Sequence, residues 1–436
     1  TTSTPRITHH PRVHRPKMMM QGNNHQAPFD EAQQKRIQQL TVVAKIRSLL
    51  NTNNNTDNES IIIPTDGTTL RPLFASEKLT LQNNACEWQN IHLLIDDNND
   101  SLHKDYSNEL KCLVSNTSFV GNVVFIMSSK NNKMKRGVHS NILIENCIFD
   151  LSSCCVINNT YISDTYVGAH ASVLSCGEVT ADAATSLWRS GGGGGGITID
   201  VGPESGGGRS LLLQPESTMI DVCNQLEHGP YDAMPGAAAA VAQTADQTHI
   251  QGHAACNVIS EGCVLRNTAT VKNVYMASHS RIIASTTVSN VIMMPQSSIT
   301  DGCQVTDVLM QWDSAISENS NVSSALIMEQ GHCGPHSFVA SSVIGSDVHV
   351  SAGEIHATVV GPNTNAHHQS LLIGILWPLG RGNVGYGANV GSNHTGRLPD
   401  QETVAAEGTF FGLSNVIKFP VDLSHSPYSI VAAGVN

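Results

Sequence analysis

The stretch Val291-Ile292-Met293-Met294-Pro295-Gln296-Ser297-Ser298-Ile299-Thr300-Asp301-Gly302-Cys303-Gln304-Val305-Thr306-Asp307-Val308-Leu309-Met310 decides the fold. Two apolar triplets bracket single apolar positions at Ile299 and Val305, with small polar residues between them. The unit recurs as Val258-Ile259, Val274-Tyr275-Met276, Leu326-Ile327-Met328, Val343-Ile344-Gly345 and Val359-Val360-Gly361, and successive starts lie 16, 17, 17, 18, 17 and 16 residues apart. Helical repeats need roughly 33 or more residues, so this period is too short for a pair of helices. Strands of a sandwich recur about every 8–12 residues and would not lock to this period. Three short strands with three tight corners fit, at about six residues per side. The reading is all-β: a hexapeptide-repeat parallel β-helix of triangular section, one side chain per side pointing inward.

The rest of the chain is arranged around that prism. Residues 1–27 read as a disordered tail, 28–50 as a helical arm and 51–60 as an Asn-rich linker. The arm carries Ile37, Leu40, Val43, Ile46 and Leu50 at helical spacing, a stripe made to pack on its own chain or on a neighbour. Residues 61–190 read as an irregular first β-helical segment, with a short helix expected over 80–88 and strands from Leu110 onward. Residues 191–247 form a Gly-rich insertion with a helix expected over 217–226 and another over 237–242, packing outside the prism or reaching a neighbouring subunit. Glycines beside Arg209 suit a phosphate cradle, although a flexible excursion suits them better. Residues 248–436 hold the main β-helix, with Gly- and His-rich turns near the end.

Composition excludes several functions. Charged residues are only 14%, against about 25% in an ordinary domain, as a prism coated with Ser, Thr and Asn requires. A net charge of −12 argues against a nucleic-acid groove and against anionic lipid. No apolar run approaches the roughly 18 residues of a membrane span. Eleven cysteines without paired spacing read as reduced thiols, hence an intracellular location, cytoplasmic or organellar with a plastid included, and not secretion.

Polar residues crowd the last turns. Ser351-Ala352-Gly353-Glu354-Ile355-His356, the HHQSLLIG segment from His367, the WPLGRGNVGYGANVGSNHTGRLPDQE run from Trp377 and the EGTFFGLSNVIKFP segment from Glu407 resemble a family of left-handed β-helix proteins of unassigned function. That family belongs to the trimeric LpxA-like superfamily, which includes the hexapeptide acyltransferases. The likeness runs from about Leu70 to Val435; the six glycines 191–196 depart from it. It implies a left-handed β-helix and a homotrimer, with clefts between subunits.

In superfamily acyltransferases a His acts as general base, a task that suits its near-neutral pKa. The resemblance therefore points to His356, His368 and His394 as catalytic candidates, with Glu354 to orient an imidazole. His367, Arg381, Asn389, Asn393 and Arg397 are the candidates for binding a sugar or sugar nucleotide, the Arg residues on phosphates and the Asn residues on hydroxyls. Acyl-coenzyme A is the candidate cofactor of that reading. The alternative is a γ-carbonic-anhydrase-like zinc site on His332, His349 and His367, spaced 17 and 18 residues apart. The third possibility is a trimeric scaffold without catalysis.

Overall fold

The computed structural model describes residues 61–63, 68–96, 103–127, 136–182, 196–202, 209–228, 256–391 and 402–436, with six positions of the arm between Gln34 and Ile46. It is a parallel β-helix. One rung shows the plan: residues 287–289 lie on face one, 291–293 on face two and Ser298–Thr300 on face three. The bend between faces one and two is Asn290, with φ of 55°. We call the corner after face one corner one, and the next two follow in order.

Each face is a ladder in register. On face one, Val288, Val305, Val322, Val339, Ile355, Leu372 and Val390 stack from rung to rung. On face three the column is Ile282, Ile299, Ile316, Cys333, Val350, Ala366, Val384 and Phe411. These side chains point inward and form one continuous core. The sequence's 18-residue step to Leu326 is only apparent. The ladder pairs Val308 with Ala325, so Ala325 fills the inward place and Leu326 faces out.

That outward place explains the triplets. Ile292, Leu309, Leu326, Val343, Val359 and Leu376 are the outer residues of face two, and all are buried. An apolar outer stripe needs cover, because exposing it to water costs about 25 cal/mol per Å². Over the upper rungs the cover is the insertion: an antiparallel hairpin of Ile197–Val201 and Arg209–Leu213, followed by the helix Met219–His228. Over the lower rungs it is the arm, whose Val43 and Ile46 pack on Leu94, Val124 and Ile148. The arm thus settles on its own chain. Arm and insertion are joined by a bidentate pair in which Arg36 Nε and Nη2 donate to Glu216 at 3.0 and 2.9 Å, both side chains buried. Gln311 Nε2 ties the insertion to the prism by donating to the carbonyls of Pro215 and Ser217.

The insertion does not interrupt the coil. Thr165–Val167 pairs directly with Asn257–Ile259, and Glu178–Thr180 with residues 270–272. The chain leaves at corner one and re-enters at corner one. That corner is lined by left-handed residues: Asn273, Asn290, Asp307, Ser324, Ser341, Ala357, Gly374 and Gly391, with φ between 47° and 94°. Asn and Asp tolerate this region best among residues with a Cβ. They also form a ladder, Asn273 Nδ2 donating to Asn290 Oδ1 and Asn290 Nδ2 to Asp307 Oδ1 at 3.0 and 2.8 Å. Higher up the hairpin meets this corner, Gly202 N–H donating to the Ala357 carbonyl at 2.7 Å.

Three local expectations are corrected. The first helix of the folded part is Ala75–Asn83, and Trp88 already belongs to the strand Glu87–Asp96. Its start is fixed by Glu77, buried, whose carboxylate accepts from Phe74 N–H and pairs with Arg71. Cys112 and Leu113 lie in a helix, Ser107–Leu113, rather than a strand. The insertion helix starts at Met219 because Thr218 and Asp221 cap it reciprocally. The helix expected over 237–242 lies outside the described residues. No disulfide forms among the described residues, and none of their helices is long and apolar enough to cross a membrane.

Candidate functional site

Face one carries the candidate site. Its first outward column reads Thr287, Gln304, Asn321, Phe338, Glu354, Leu371 and Asn389 along the ladder. The lower entries are small and polar. At Phe338 a phenyl ring stands 43% exposed in that column. Beside it, corner three opens into a shallow cleft of about 350 Å³, lined by His336, Phe338, Ala352, Gly353, Glu354, Gln369, Ser370 and Leu371. The cleft crosses three rungs. One rung beyond it Tyr386, 51% exposed, donates its hydroxyl to Gln369 Oε1 at 3.0 Å. The lining holds one carboxylate, Glu354, and neither Lys nor Arg.

Of the residues singled out from the sequence, Glu354 lines this cleft. His356 is on the same strand, two residues on, at the opposite edge of face one beside corner one. His367 lies on face three, and His368 is at corner three, exposed, with Nδ1 3.4 Å from Ser351 Oγ. The described imidazoles therefore stand on separate parts of the prism: His356 is parted from His367 and His368 by the width of face one. Arg381 is at corner two, where Nη1 pairs with Glu407 at 2.9 Å. Asn389 continues the column above Leu371, its Oδ1 buried without a hydrogen-bond partner. Asn393, His394 and Arg397 lie outside the described residues.

The three-histidine alternative separates as well. His332 and His349 do stack, edge to face with ring centroids 6.0 Å apart. The next rung takes 16 residues, so the ladder pairs His349 with Asn365, and His367 falls two places further on. Among the described residues no three of His, Cys, Asp and Glu are grouped to hold a metal ion. His332 Nε2 is 2.9 Å from Ser317 Oγ. Burial, then the neighbouring His349, holds its pKa below the usual value.

A second polar junction forms at corner one. Arg209, closing the insertion's hairpin, pairs with Glu402, which precedes the face-two strand Thr403–Val404. Its guanidinium is thus engaged by a carboxylate, and the glycines 206–208 before it lie outside the described residues.

Sequence reasoning missed Phe338, Gln369, Tyr386 and the placement of His336. A signal existed for the first: an aromatic ring at an outward position that three preceding rungs fill with Thr, Gln and Asn. No such signal marked Gln369 or Tyr386, because corners differ too much in length for their columns to be aligned by eye.

No curated protein is significantly similar to the chain. A family model described as a domain of unknown function (DUF4954) matches residues 70–408, from the first hairpin through the last regular rungs, and the chain belongs to that family.

Proposed function

We propose that the protein is a saccharide-binding β-helix whose site is the corner-three cleft. The observation that carries this is the exposed Phe338 ring stacked one rung from the Glu354 carboxylate, with the Gln369 carboxamide a further rung on. A sugar ring has an apolar C–H face and a rim of hydroxyls. The face covers a phenyl ring, and the hydroxyls donate to carboxylate and carboxamide oxygens. Covering roughly 50 Å² of apolar ring is worth about 1.2 kcal/mol, close to tenfold in affinity. The strands hold these groups rigidly, so little ordering cost opposes binding.

The LpxA-like placement, the left-handed winding and a homotrimer belong to the same proposal. The period near 17 and the three short faces per rung support the placement, while the winding and the trimer rest on the family resemblance. Acyl transfer draws less support, since the described imidazoles expected to catalyse it stand apart.

Calorimetry with a panel of neutral monosaccharides and nucleotide sugars tests the reading. Binding by the wild type, weakened about tenfold by Phe338→Ala, is the expected result. A panel in which nothing binds removes the proposal, and binding untouched by both Phe338→Ala and Glu354→Gln removes the site.

A further inference from the structure

We infer that the ligand of this cleft is a short linear oligosaccharide lying parallel to the prism axis, not a sugar nucleotide. The inference rests on the saccharide reading above and adds the length, direction and charge of the ligand.

Length and direction come from the rungs. Phe338, Glu354 and Gln369 occupy three successive rungs, and Tyr386 stands on the next, joined to Gln369 through its hydroxyl. Neighbouring strands are about 4.8 Å apart, so the two exposed rings are separated by about 14 Å along the axis, and one pyranose unit advances a glycan by a step of the same order as one rung. A chain of about three units reaches from one ring to the other, and the repeat of the protein matches that of the ligand. The groups between the rings are a carboxylate and a carboxamide, both acceptors for the hydroxyls of middle units. A single sugar would leave Tyr386 unused.

Charge comes from the lining. A nucleotide sugar brings a diphosphate, which needs Arg, Lys or a fan of backbone N–H groups. The lining residues include no Lys or Arg, and they carry the carboxylate of Glu354. Arg381, offered by the sequence for this task, is at corner two and paired with Glu407. An uncharged glycan meets no such mismatch.

One buried hydroxyl beneath the lining is left unpaired. Ser337 Oγ, at the equivalent place one rung below Gly353, donates to the Val350 carbonyl at 3.0 Å. Ser370 Oγ, buried in the lining one rung above Gly353, has no hydrogen-bond partner. Gly353 between them has no side chain, and a Cβ there would stand 3.0 Å from Ser370 Oγ.

The test is calorimetry of the full chain with two ladders, cello-oligosaccharides and chito-oligosaccharides of one to five units, and with uridine diphosphate-glucose. The expected result is affinity that rises at least about tenfold from one to three units of one ladder and then levels off. Tyr386→Ala should remove that gain, and Phe338→Ala should weaken every length. Uridine diphosphate-glucose should bind no tighter than glucose. Affinity independent of length, or a nucleotide sugar bound tightest, overturns the linear-glycan inference while saccharide binding itself stands. Absence of binding to both ladders overturns it too; if the neutral monosaccharide panel also fails, the parent reading falls with it. Circular dichroism of each variant confirms that the fold is intact, because both rings are surface side chains.

Discussion

Replacing Glu216 by Ala should release the N-terminal arm. The side chain of Arg36 is 1% exposed and that of Glu216 is 7% exposed, and two hydrogen bonds join them. Deleting one partner of a buried pair costs about 3–5 kcal/mol. Against this the arm sets Val43 and Ile46, each buried and each worth about 1.5–3 kcal/mol, and the Gln39 acceptor that takes hydrogen bonds from Tyr275 and Ser260. The penalty is comparable to the whole apolar contribution of those two residues. Hydrogen exchange should therefore quicken at Arg36, Gln39, Val43 and Ile46 by roughly two to nearly four orders of magnitude, while the face-one ladder from Val288 to Val390 keeps its protection. The double variant Arg36→Met with Glu216→Leu should restore protection, since an apolar pair of similar volume is often as stable as a buried ion pair. Unchanged exchange in Glu216→Ala would refute the claim that this pair clasps arm to insertion. Exchange quickened equally along the whole prism would refute the claim that the arm is a cover and not part of the core.

Three further outcomes follow from the same geometry. Gly391→Ala should lower the thermal midpoint, because φ there is 94° and a Cβ would overlap the Ile373 carbonyl; strain of this kind costs about 1–3 kcal/mol, whereas Ser341→Gly, at the same corner, should cost well under 1 kcal/mol. Asp307→Ala should cost about 1 kcal/mol in urea denaturation, by taking the acceptor from Asn290 Nδ2 at the end of the amide ladder. His92 is held below its usual 6.5 by burial, so its neutral form is favoured in the folded state. The unfolded chain then binds more protons, and this contribution is present above about pH 6.5 and lost as pH falls toward the folded value; the thermal midpoint of the wild type should drop more than that of His92→Asn between pH 7 and 5.

The coil was legible in the sequence because its rule is local. Every sixth residue or so must be apolar and every corner small, and residues 258–361 obey this closely enough to give the period by inspection. The middle residue of each triplet carried more than the period. An apolar Ile292 or Leu309 facing outward implies a lid, and the lids proved to be the arm and the insertion. What stayed hidden depends on partners distant in sequence. Arg381 reads as an available cation until Glu407 is placed beside it. His332, His349 and His367 look like one column until the 16-residue rung moves His367 off it. Glu354 was found from its setting, whereas the Phe338 ring beside it needed the ladder to bring residues 16 apart into contact. The first helix was misplaced by a few residues because the buried pair of Arg71 and Glu77, not the apolar pattern, fixes where it begins.

A saccharide along corner three is the proposed occupant of the cleft. Hydroxyl-radical footprinting, with the three-unit oligosaccharide bound and absent, tests it most directly. Loss of labelling is expected at Phe338 and Tyr386 together, with the exposed Ile142 and Phe419, away from the cleft, unchanged. Protection confined to the Arg209 and Glu402 junction at corner one, or to His349 on face three, would contradict it.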